Sequence, residues 1–135
     1  MNVHLERAKV LWKQSRYDLA EQEVRQALAE DPDDAFAHAL LALILGERKE
    51  YEKAVEAAQA AVHRQPDLPF VHYALASVLL KRNCSGEALS AIAEAIRLDR
   101  SDPDYFALQA AAHFEESRWQ DALASAERGL EADPE

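Results

Sequence analysis

The chain has 135 residues, 49% hydrophobic and 30% charged, with three glycines, five prolines and one cysteine. That is the length of a single domain with enough apolar content for a core, which argues against intrinsic disorder. Lone Cys84 permits no internal disulfide, and the net charge of −10 opposes nucleic acid and anionic membrane surfaces.

The acidity is concentrated at the two ends. Residues 1–34 carry 5 basic and 8 acidic side chains and residues 103–135 carry 2 and 8, whereas the middle is close to neutral. The opening His4-Leu5-Glu6-Arg7 has neither the basic n-region nor the apolar run of a secretory signal. The nearly apolar stretch 35–46 includes His38 and is shorter than the roughly 18 residues that span a bilayer. No membrane insertion is expected, and the expected location is the cytoplasm.

In chain order, Leu5, Ala8, Leu11 and Trp12 form a 3.6-residue stripe, followed by a second stripe of Leu19, Ala20, Val24, Ala27 and Leu28. Between them, Ser15-Arg16-Tyr17-Asp18 reads as a capping box, with the serine hydroxyl accepting from a free amide of the second helix. Pro32 and Pro66 follow helix-like runs ending in Glu30-Asp31 and Arg64-Gln65, where proline cannot continue the ladder. Asp102-Pro103 supplies an N-cap acceptor with proline at N1, and Ser117-Arg118-Trp119-Gln120 reads as another capping box before a last helix with Leu123, Ala126 and Leu130. Eight helices result, and no β-branched run alternates as a strand does.

These segments repeat every 34 residues. Ala8, Ala42, Ala76 and Ala110 share one register, and Ala20, Ala54, Ala88 and Ala122 another. Further columns read Ala27, Ala61, Ala95, Gly129, then Tyr17, Tyr51, Ser85, Trp119, and Pro32, Pro66, Arg100, Pro134. Recurrent small residues permit close helix approach, so the columns specify packing. The units 1–34, 35–68, 69–102 and 103–135 are therefore expected to stack as an all-α, right-handed solenoid of one domain.

The pattern resembles the tetratricopeptide repeat, carried by Leu41, Ala42, Tyr51, Ala54, Ala61 and Pro66 in the second unit and Leu75, Ala76, Ala88 and Ala95 in the third. Two columns depart from it. The customary tryptophan position reads His4, His38, His72 and Phe106, and the glycine between helices reads Ser15, Lys49, Asn83 and Ser117. Arg100 and Ser85 make the third join the least typical.

The resemblance implies a non-catalytic scaffold that holds a peptide or protein segment in a concave groove lined by the first helix of each pair. By that resemblance the lining comprises Leu5, Lys9, Trp12 and Lys13, then Phe36, Ala39, Leu43 and Glu47, then Phe70, Tyr73, Ser77 and Lys81, and finally Asp104, Ala107, Ala111, Phe114 and Glu115. Helical spacing independently groups Phe36 with Leu40 and Leu43, and Phe70 with Tyr73 and Ser77; the aromatics are expected to form one track, with Trp12, Phe36, Phe70, Tyr73 and Phe114 as anchors for an apolar partner segment. The family's clamp for acidic chain ends is only partly present. Lys9, Lys13 and Lys81 remain, but Leu40, Leu43, Ala74 and Ser77 stand where amides are wanted, and Glu47 opposes a carboxylate.

Two further roles stay open at this point, homo-oligomerisation through Leu123, Ala126 and Leu130 of the last helix, or substrate recruitment for an enzyme domain elsewhere in a longer chain. The sequence stops at Asp133-Pro134-Glu135 without the extra C-terminal helix common in the family, as expected of a fragment. The histidine column spaces its rings about one repeat apart, on the order of 10 Å, too far to share a metal. Cys84 has no registered base, Glu115-Glu116 and Asp33-Asp34 are sequence neighbours that do not face each other, and the isolated Gly46, Gly86 and Gly129 form no nucleotide-binding motif. No catalytic residue, metal or cofactor is expected.

Overall fold

A computed structural model describes residues 2–132. It contains, among those residues, eight helices and no strand: α1 (Val3–Lys13), α2 (Tyr17–Glu30), α3 (Ala35–Glu47), α4 (Tyr51–Arg64), α5 (Pro69–Lys81), α6 (Ser85–Leu98), α7 (Pro103–Glu115) and α8 (Trp119–Ala132). Each odd helix packs against the even helix that follows it, and each pair then packs on the next, so contacts run between neighbours along the stack. The alanine columns lie at these seams: Ala8, Ala42 and Ala76 are fully buried, as are Ala20, Ala54 and Ala88. The register of small residues thus determines which faces meet.

Burial is greatest at the centre of the stack, where ten of the 13 residues of α3 are buried. Helix α3 packs closely along α5, whereas α1 on α3 and α5 on α7 touch at few points. Gly46 permits the closest approach, because a β-carbon there would stand 3.1 Å from Val78 Cγ1. The first helices therefore diverge on either side of a tight central pair.

Several helix ends follow from side-chain chemistry. Asp34 Oδ1 accepts from the Ala37 amide at 3.1 Å, and Asp102 Oδ1 accepts from the Asp104 amide at 2.9 Å with Pro103 at the first helical position. Helices α2 and α4 stop at Glu30 and Arg64, just ahead of Pro32 and Pro66. Pro134 and the sequence end at Asp133-Pro134-Glu135 lie outside the described residues.

The two serine capping boxes are corrected. Ser15 and Ser117 do not open α2 and α8; they close α1 and α7 in the left-handed conformation, with φ of 60° and 59°. Arg16 is the N-cap of α2 and makes no side-chain cap bond. At all four intrapair turns the left-handed residue donates three residues back and its successor donates five back. Ser15 N bonds Trp12 O at 3.0 Å and Arg16 N bonds Leu11 O at 2.9 Å; the same pair recurs at Lys49 with Glu50, Asn83 with Cys84, and Ser117 with Arg118. This is the Schellman closure, in which the fold prefers glycine. The column that departs from the family's glycine is therefore the set of non-glycine residues held at positive φ.

The histidine column also has a structural role. His38 Nε2 lies 2.8 Å from Pro32 O, and His72 Nε2 lies 2.7 Å from Pro66 O. Each ring donates to the carbonyl six residues earlier and ties an inter-repeat turn to the helix that follows it. His4 instead faces Glu23 Oε2 at 2.6 Å, and Phe106 fills the fourth register as an apolar ring with 5% exposure. No three metal-ligating side chains converge among the described residues.

Candidate binding cleft

Helices α1, α3, α5 and α7 line a cleft of about 230 Å³ bounded by Lys9, Trp12, Lys13, Phe36, Leu40, Phe70, Tyr73, Asp102, Asp104 and Tyr105. Its floor is an aromatic ladder. Phe36 and Phe70 stack with centroids 4.3 Å apart and planes 11° from parallel, because the close α3–α5 contact brings their first turns together. Phe70 then meets Tyr73 at 6.0 Å and Tyr73 meets Tyr105 at 5.4 Å. Lys9 Nζ lies over the Phe36 ring at 4.5 Å, within cation–π range. Phe36, Phe70 and Tyr73 are each half-buried.

Charge is unevenly placed around this floor. The Tyr105 phenol is pushed up to about 12, first by burial and then by the carboxylates of Asp102 and Asp99, the Tyr73 phenol and Asp104. Tyr73 is also raised, by burial first and then by Asp104, Asp102 and Glu47. Burial raises Asp102 as well, against the opposing effect of its cap bond from the Asp104 amide, while Asp104 and Asp99 push it further up. The α7 end of the cleft therefore has negative potential, and the α1 end carries two ammonium groups.

The residues anticipated as groove lining divide into four groups. Lys9, Trp12, Lys13, Phe36, Phe70, Tyr73 and Asp104 meet in this cleft. Leu5, Ala39 and Leu43, with 8%, 0% and 4% exposure, sit in the core and do not line this cleft. Glu47 and Lys81 pair with each other at 2.9 Å away from the cleft, and Ser77 and Ala107 do not line it. Ala111, Phe114 and Glu115 belong to a separate, open hollow of about 590 Å³ with Trp119 and Leu123, where Phe114 meets Trp119 edge-on at 4.9 Å. The anticipated single aromatic track is thus broken between Tyr105 and Phe114.

The sequence reading missed Tyr105 and Asp102. A signal existed for the first, since its register holds Val3, Ala37 and Val71, and only in the fourth unit does an aromatic ring replace a smaller side chain.

The family model for the tetratricopeptide repeat matches residues 5–69 and 73–135. The chain belongs to the tetratricopeptide-repeat family. Among solved structures it resembles a thermophilic tetratricopeptide-repeat protein of Thermus thermophilus, with a TM-score of 0.84 at 18% identity over 95% of this chain and 71% of that one. It also resembles MamA from Desulfovibrio magneticus RS-1, with a TM-score of 0.74 at 14% identity over 98% of this chain and 75% of that one. At these identities the likeness is one of fold. A comparison with curated protein sequences found no significant match.

As a tetratricopeptide-repeat protein the chain is a non-catalytic scaffold of the protein-interaction class. No helix among its described residues is long and apolar enough to cross a membrane.

Proposed function

We propose that the cleft between α1, α3, α5 and α7 is where this scaffold takes hold of its partner, an extended protein segment with an apolar anchor. The observation that carries this reading is the aromatic ladder from Phe36 to Tyr105 along a concave cleft, in which Phe36, Phe70 and Tyr73 are only half-buried. Half-buried rings are already ordered, so a visiting side chain gains area at little entropic cost.

The test is capture of the partner by the intact protein and by the Phe36→Ala/Phe70→Ala variant, with helicity measured on both. Loss of capture with helicity retained supports the cleft. Undiminished capture by a folded double variant places the partner elsewhere.

A second reading, self-association, is favoured by the exposure of Leu123 and Leu130 on α8, 61% and 67%, where the matching Val55 and Val62 on α4 are covered by the next repeat. Val3 and Val10 on α1 are likewise 56% and 55% exposed, whereas Val71 and Val78 in the same registers are fully buried. A molar mass that rises with concentration, and stays monomeric in Leu123→Glu/Leu130→Glu, supports this reading; a monomer throughout excludes it.

A further inference from the structure

The aromatic cleft has opposite charge at its two ends. At the α1 end Lys9 and Lys13 stand on the wall; Lys9 pairs with Glu6 at 3.2 Å, and no carboxylate lies within ion-pair distance of Lys13 among the described residues. At the α7 end stand Asp102 and Asp104, whose carboxylates help hold the neighbouring phenols in their neutral form. Between the two ends the lining is Trp12, Phe36, Leu40, Phe70 and Tyr73, none of it charged. The nearby Glu47, whose charge is felt at Tyr73, pairs with Lys81 at 2.9 Å outside the cleft lining.

We infer that the cleft selects an extended segment of matching polarity: a carboxylate side chain at the α1 end, apolar or aromatic residues over Phe36 and Phe70, and a Lys or Arg at the α7 end. This rests on the proposed function of the cleft and specifies the chemistry of its occupant and the order of its charges. A guanidinium or ammonium group at the α7 end meets the carboxylates of Asp102 and Asp104, so ion pairing acts there. A carboxylate placed there meets like charge, and a cation at the α1 end meets the ammonium group of Lys13. The centroid steps of 4.3, 6.0 and 5.4 Å span at most about 16 Å, the reach of four to five extended residues.

The net charge of −10 draws any basic peptide weakly and nonspecifically. The order of charges, and not their total, is therefore the discriminating property. Uniformly acidic tails are rejected by Asp102 and Asp104, which accords with the incomplete clamp of Lys9, Lys13 and Lys81.

The test uses fluorescence anisotropy with five end-blocked, labelled peptides that share a Leu-Phe-Leu centre. Their flanking residues are Glu and Arg, Arg and Glu, Glu and Glu, Arg and Arg, or Gln and Gln. One of the two mixed peptides is expected to bind about ten-fold or more tightly than both uniformly charged ones, the equivalent of about 1.4 kcal/mol. Asp104→Lys is expected to transfer the preference to the Glu/Glu peptide, and Lys9→Glu/Lys13→Glu to the Arg/Arg peptide. Asp104→Asn, milder at the start of α7, is expected to lose the preference without gaining a new one.

Binding of all five within about two-fold, or an order that follows net charge alone, overturns the polarity while leaving the cleft as a binding site. Absence of binding by every peptide at millimolar concentration overturns both.

Discussion

Lys49 closes α3 at φ 65°, with its amide bonded to Gly46 O at 3.1 Å and the Glu50 amide to Leu45 O at 3.0 Å. The left-handed region costs a residue with a β-carbon about 1–2 kcal/mol, because Cβ crowds the following carbonyl oxygen. Glycine escapes that cost but loses about 0.5–1 kcal/mol more backbone entropy on folding. The difference favours Lys49→Gly by about 0.5–1 kcal/mol, since the backbone bonds are already formed and need not move. For a chain of this size that is a rise in Tm of about 2–4 °C.

Two controls isolate the cause. Asn83 has φ 66° and the same pair of bonds, but asparagine tolerates this region through its short amide, so Asn83→Gly is expected to change stability little. Lys49→Ala removes the same side chain yet keeps the β-carbon, and is expected to gain nothing. The measurement is urea and thermal unfolding followed by far-ultraviolet circular dichroism on all three variants. If Lys49→Gly is no more stable than Lys49→Ala, conformational strain at the turn is the wrong account.

Other expectations follow from single side chains. His72→Phe keeps a ring, as Phe106 does in the same register, but leaves Pro66 O without its donor; it is expected to cost about 1–2 kcal/mol in urea unfolding. His113 stands where Leu11, Leu45 and Leu79 stand in the other units, and its Nδ1 is buried without a hydrogen-bond partner; His113→Leu is expected to stabilise by about 1–2 kcal/mol, and a loss of stability refutes this. Because the folded Tyr105 phenol ionises near 12 and the unfolded one near 10, the folded state keeps a proton that the unfolded state releases between those values. Its contribution is unchanged below pH 10 and is lost as pH rises from 10 towards 12; Tyr105→Phe should flatten that decline and remove the latest component of the tyrosinate absorbance titration.

Helix number, pairing and the seams between pairs were legible in the sequence because they depend on residue size at a fixed interval. Ala8, Ala42 and Ala76 could be placed at seams without knowing any angle, and all three are fully buried. The intrapair turns were misread for the opposite reason. Ser15 and Ser117 carry two meanings, since serine is a good N-cap and a tolerable left-handed residue, and local preference alone favours the cap. Only the column decides, because Lys49 has no capping chemistry and yet occupies the same turn.

Which helix face the cleft shows was only partly legible, and for a physical reason. The 34-residue register makes equivalent positions look alike, so Leu5, Ala39 and Leu43 fell in with Phe36 and Phe70 as lining. Burial depends on how closely neighbouring first helices approach: α5 packs closely on α3, with Gly46 leaving room for Val78, while α1 and α7 touch these two at few points. That asymmetry closes the centre over Ala39 and Leu43 and leaves the rings of Phe36 and Phe70 stacked at its edge, with Lys9 over Phe36 on one side and the buried Tyr105 against Tyr73 on the other. The repeat supplies the scaffold and its departures supply the site: one missing side chain leaves room for Val78 between two helices, and one extra ring extends the ladder to the carboxylates of α7.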